Sequence, residues 1–143
     1  MRQFNPFQWE YGKWRKFFLL SACWNMFGAI PALIAPRLNM LIFYGVKTDD
    51  FYMLLLNRFA WVAILIFGIG YLIIAYDPKR AVGIIIMGII GKTCVAVLWY
   101  YLFGIDRATI FAVFAATGDS IFTLYFIAFL ITNRESSPDT KSL

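Results

Sequence analysis

Four apolar runs, each the length of a membrane crossing, follow one another along the chain with short polar breaks between them. They occupy residues 17–34, 51–76, 81–103 and 108–132. Each approaches or exceeds the ~20 helical residues that cover ~30 Å of hydrocarbon. Backbone amides find no water inside a bilayer, so a run of this kind satisfies its own hydrogen bonds as α-helix. The pattern predicts an all-α integral membrane protein, a four-helix bundle. Pro36 closes the first span, and Pro31 before it is expected to bend the helix. Asp77-Pro78 stops the second span, and residues 104–107 make a tight turn between the third and fourth.

The flanks differ in kind. Residues 1–16 read as an interfacial amphipathic segment. Asn5-Pro6 looks like a helix start, and Phe7, Trp9, Tyr11 and Trp14 are mixed with Lys13, Arg15 and Lys16, which suits a headgroup layer. The plainer alternative is the frayed start of span one. That span is followed by no convincing small-residue cleavage signal and is expected to be retained. Residues 37–44 read as a short amphipathic surface segment, followed by a polar turn at 47–50. The bundle itself covers 17–132, and the polar tail 133–143 is expected to be disordered.

Composition agrees with the pattern: 62% of residues are hydrophobic and 15% charged, against about 25% charged in soluble domains. The net charge of +5 does not point to nucleic acid, because the basic residues cluster at span ends and form no long basic face. Four spans put both termini on one side. That side carries eight Lys and Arg (2, 13, 15, 16, 79, 80, 134 and 141) and the other carries three (37, 47 and 107). The bias places both termini in the cytoplasm. Histidine is absent, and no Cys/His spacing or carboxylate cluster replaces it, so neither a metal nor another cofactor is expected. Cys23 and Cys94 lie in different spans. They are expected as buried, small apolar side chains rather than as a disulfide.

Two opposite charges interrupt the runs: Lys92 in the third span and Asp119 in the fourth. Such a group at mid-bilayer costs roughly 2.5–3.5 kcal/mol on insertion scales and usually faces a partner or a watery cavity. Helices in lipid meet through small residues, and both charges sit on small-residue stripes. Span three offers Gly88, Gly91, Lys92 and Ala96; span four offers Ala108, Ala112, Ala115, Asp119 and Thr123. Span one offers Ser21, Asn25, Gly28, Ala29 and Ala32. At 1.5 Å per residue, Lys92 and Asp119 each lie ~17–20 Å into their spans, and Asn25 reaches a similar depth.

The pair has two readings: a structural pin for the bundle, or a ligand-binding or proton-handling site. Asn25, Thr93, Ser120 and Thr123 either extend it into a polar pocket or make ordinary helix–helix hydrogen bonds. Arg58, beside Asn57, either recognises an anionic group or snorkels to the interface. Trp24, Trp61, Tyr71, Trp99, Tyr100 and Tyr101 either line an apolar pocket or form packing and interfacial belts. No nucleophile–base pair or phosphate-binding loop is visible, so the sequence leaves an enzyme open only through Lys92 and Asp119 as acid–base partners.

Gly68-Ile69-Gly70-Tyr71, Asp77-Pro78, Gly91-Lys92 and Gly118-Asp119, with the overall length, give a layout that resembles the DoxX-like group of small four-span bacterial membrane proteins. The resemblance implies a compact four-helix bundle in a bacterial inner membrane, in a group sometimes tied to quinone-dependent redox systems or accessory roles. Span one lacks the group's Arg, glycine and Lys pattern, so no site residue is carried over.

Two functions follow. In the first, the bundle binds an apolar or amphiphilic molecule (lipid, quinone or sterol-like) or serves as an accessory subunit of a membrane complex. Lys92, Asp119, Asn25, Arg58, Trp24 and Tyr71 are then the ligand-binding candidates. In the second, a homo-oligomer transports protons or cations, with Asp119 as the carrier group and Lys92 as its counter-charge.

Overall fold

The computed structural model describes residues 10–78 and 81–134. The expected helix start at Asn5-Pro6, the aromatic residues before Glu10, and the tail beyond residue 134 lie outside them. The order is α1 (Tyr11–Ile34), α2 (Pro36–Tyr44), α3 (Phe51–Tyr76), α4 (Val82–Gly104) and α5 (Ile110–Arg134), with no strand among the described residues. Of these, α1, α3, α4 and α5 are long and apolar enough to cross a membrane, the signature of an integral membrane protein.

Local chemistry explains the boundaries. The Asp50 carboxylate accepts from Met53 N at 2.7 Å and caps α3. Arg15 Nε donates to the Ala75 carbonyl at 2.9 Å, and Tyr11 Oη to Asp77 Oδ1 at 2.9 Å, which ties the start of α1 to the end of α3. Residues 11–16, expected as a separate interfacial segment, are the first turns of α1 itself. Pro31 lies within α1, and the helix runs on to Ile34.

α1 packs tightly along α3, and α4 along α5. Small residues make both seams. Gly68 of α3 comes against Asn25 and Ala22 of α1. Ala96 of α4 packs with Ala112 and Ala116 of α5. The two pairs touch each other far less. They meet near the start of α1, where Trp14, Phe17 and Phe18 interlock with Phe122, Phe126 and Phe129 of α5. Tyr71, Ile74 and Ile85 complete this aromatic plug.

At the opposite end the pairs are bridged by α2, the short amphipathic segment expected from the sequence, which buries one face against them and leaves Arg37, Leu38 and Leu41 exposed. Pro36, Asn39 and Met40 are buried. The Phe43 ring lies between those of Trp61 and Trp99, at 5.3 and 5.5 Å. Gly45, with φ of 69°, ends the helix in the left-handed conformation that lets its N–H reach the Leu41 carbonyl. Thr109 then fastens α2 to α5. Its hydroxyl donates to the Ile42 carbonyl, and its N–H donates to the Phe43 carbonyl at 2.9 Å.

The cysteines also depart from expectation. Cys23 and Cys94 are free and exposed on the outside of the helices. A small apolar side chain suits an outer face wetted by acyl chains as well as it suits a core.

Candidate functional site

Lys92 on α4 is 4% exposed. Its Nζ donates to Asp119 Oδ1 on α5 at 2.5 Å and to Asn25 Oδ1 on α1 at 2.8 Å. Asn25 Nδ2 in turn donates to the Ile64 carbonyl on α3 at 3.1 Å. One short polar chain thus touches all four long helices and links the two pairs. The ammonium also lies over two rings, 5.3 Å from the Tyr71 centroid and 5.1 Å from that of Phe122. Aromatic faces favour a cation when water is excluded.

Between this centre and α2 the helix pairs separate and leave a cavity of 690 Å³. Its closed end is formed by Asn25 and Asp119, its roof by Asn39 and Phe43, and its walls include Trp24 and Trp61. Asp119 keeps 13% of its side chain exposed, and it lines this space. The cavity opens sideways between α1 and α5. Phe27, Leu38, Phe111 and Phe114 line it and are themselves more than half exposed, Phe27 at 81%. The mouth therefore faces the medium around the helices, which for spans of this kind is lipid.

Trp24 owes its place to Gly118. A Cβ at that glycine would fall 2.3 Å from the indole. The six-membered ring of the indole sits against Gly118, with the side chain 5.5 Å from the Phe114 ring and 6.0 Å from that of Phe122. Opposite it, Trp61 Nε1 donates to Asn39 Oδ1 at 2.7 Å, which holds wall and roof together.

Of the six candidates read from the sequence, the structure gathers five. Lys92, Asp119 and Asn25 bond directly, Tyr71 covers the ammonium, and Trp24 forms a wall. Arg58 stands apart. It is exposed on α3, about 9 Å along the helix from Ile64. The polar extension through Thr93, Ser120 and Thr123 does not form. Thr93 is exposed, while the Ser120 and Thr123 hydroxyls donate to the Ala116 and Asp119 carbonyls of their own helix. The small stripe of span four divides in two: Ala112 packs on α4, whereas Ala115 and Asp119 face the cavity.

Sequence reasoning missed Asn39, Phe43 and Thr109. The available signal was the apolar run Leu38, Met40, Leu41, Ile42 and Phe43, interrupted only by Asn39. That is too apolar for a solvated connection.

No family model, curated protein or solved structure matches this chain.

Proposed function

We propose that this protein binds an amphiphilic molecule that enters from the surrounding lipid, with the polar end of the ligand at Asp119 and Asn25 and its hydrocarbon body along the aromatic walls. The observation that carries this reading is the sideways-opening cavity of 690 Å³ whose closed end is a buried polar centre. Its size lies within the roughly 300–1,000 Å³ of small-molecule sites, and a few polar groups among apolar walls are their usual chemistry. In this reading the four spans form a bundle and Lys92 with Asp119 is an ion pair inside the membrane. Both termini are cytoplasmic, on the strength of the basic-residue bias. The resemblance of the layout to the DoxX-like group is the ground for reading that membrane as a bacterial inner membrane and for an accessory role beside a larger complex.

The transporter alternative has less support. Within one copy the aromatic plug of Trp14, Phe18, Phe126 and Phe129 fills the space between the helix pairs on the far side of Lys92, so a path for a proton or cation would have to run between two copies.

Occupancy is tested by photolabelling the reconstituted protein with a diazirine-bearing alkyl amphiphile and mapping the labelled peptides. Label should fall on residues 24–43 and 110–119. Ala115→Phe, which fills the cavity from α5, should remove it. Labelling indifferent to that substitution, or scattered over all outer faces, would sink the reading.

A further inference from the structure

We infer that the ligand's polar end is an uncharged hydroxyl, read by Asp119 as a hydrogen-bond donor. This narrows the binding reading above and rests on it. The argument is an inventory of the valences left at the closed end of the cavity.

Lys92 is spent. Two of its three N–H donors go to Asp119 Oδ1 and Asn25 Oδ1, and its Nζ lies over the Tyr71 and Phe122 rings. It does not line the cavity; Asp119 and Asn25 do. Asp119 uses Oδ1 on Lys92, and its Oδ2 makes no hydrogen bond among the described residues. Asn25 uses Oδ1 on Lys92 and one Nδ2 hydrogen on Ile64, which leaves one amide hydrogen. The closed end therefore offers one carboxylate acceptor and one amide donor. A hydroxyl donates one hydrogen and accepts on its oxygen, so it can satisfy both. The other polar lining groups are donors away from that carboxylate–amide pair: Asn39, whose oxygen is engaged by Trp61 and whose amide hydrogens remain at the roof, and the indole N–H groups of Trp24 and Trp99 in the walls.

Charge narrows the class further. Lys92 and Asp119 together sum to zero. A cationic or anionic head would leave a net charge among Trp24, Ile64 and Phe114, where desolvation is not repaid. A ketone or ether head carries no hydrogen for Oδ2. It would cover that oxygen and leave it unmatched, the kind of loss that makes polar sites discriminate strongly.

The test uses full-length protein in lipid nanodiscs and a diazirine-bearing hexadecanol. The competitors are hexadecanol, hexadecyl methyl ether, hexadecanoate and hexadecylammonium. Hexadecanol should displace the label at a mole fraction about tenfold or more below that of the ether, since a hydrogen bond to a charged group is at stake. Both ions should compete no better than the ether. Equal displacement by alcohol and ether, or a stronger effect of either ion, overturns the hydroxyl assignment and leaves the binding reading intact. No label on residues 24–43 or 110–119 from this probe, nor from diazirine-bearing hexadecanoate or hexadecylammonium, ends the binding reading itself. The double substitution Lys92→Met with Asp119→Leu should keep the labelling and lose the preference for alcohol, and a preference that survived would also overturn the assignment. If that variant does not fold, the competition series on the unaltered protein still decides the matter.

Discussion

Lys92 concentrates the physics of this molecule in one side chain. Removing either charge strands the other in an apolar interior, which costs about 3–5 kcal/mol, whereas replacing both with apolar groups of similar size is often neutral. Lys92→Met and Asp119→Leu should each lower the unfolding temperature in detergent sharply, and the double variant should recover most of the loss. A double variant as unstable as the single ones would show that the pair adds stability beyond its own desolvation. These residues were legible because a charge inside a membrane-length run has few explanations, and because spacing along α4 and α5 put both at one depth. Asn25 was legible for the same reason. Arg58 carried a similar signal and proved exposed. Its distance from the end of α3 lets a long side chain reach the interface, and sequence alone does not choose between the two.

α2 shows where reading by segments loses information. A helix of nine residues is marginal in isolation, so its position is set by what it packs on, and no local window contains Trp61, Trp99 and Thr109 together. The four long helices needed no such help. Their lengths follow from bilayer thickness, and Asp50 and Asp77-Pro78 mark the ends of α3 at the residues expected. The attachment of α2 to α5 can be loosened selectively. Thr109→Val removes the hydroxyl that donates to Ile42 while keeping the backbone bond to Phe43. Amide hydrogen exchange at Gly45 and Val46, whose N–H groups bond within the end of α2, should then accelerate about fivefold to tenfold, as expected for one hydrogen bond of ~1 kcal/mol. Unchanged exchange would mean that Phe43 packing alone holds the roof.

The outer surface of the whole molecule is apolar in a way that water does not tolerate. Phe27, Leu56, Ile66, Val97 and Phe114 are all more than half exposed, and a continuous surface of this kind marks contact with another apolar phase. Cys23 and Cys94 lie on that surface. In sealed proteoliposomes a charged, membrane-impermeant maleimide should leave both untouched, while a lipid-soluble maleimide should modify them without unfolding the protein. Rapid reaction with the charged reagent would place these faces in water and remove the membrane assignment. Four helices long and apolar enough to cross a membrane were evident from hydropathy alone. The gap between the two helix pairs was not, because it depends on aromatic side chains at one end and α2 at the other holding the pairs apart.

A roof on one end and a doorway between α1 and α5 make the supply of ligand two-dimensional. On the proposed reading, what governs occupancy is the guest's abundance per lipid molecule in the leaflet, not its abundance per litre of buffer. Thinning a vesicle suspension with buffer should therefore leave a strongly partitioned guest in place. Fusing the same vesicles with blank lipid should empty the site in proportion, and the reverse outcome would mean that the traffic runs through water.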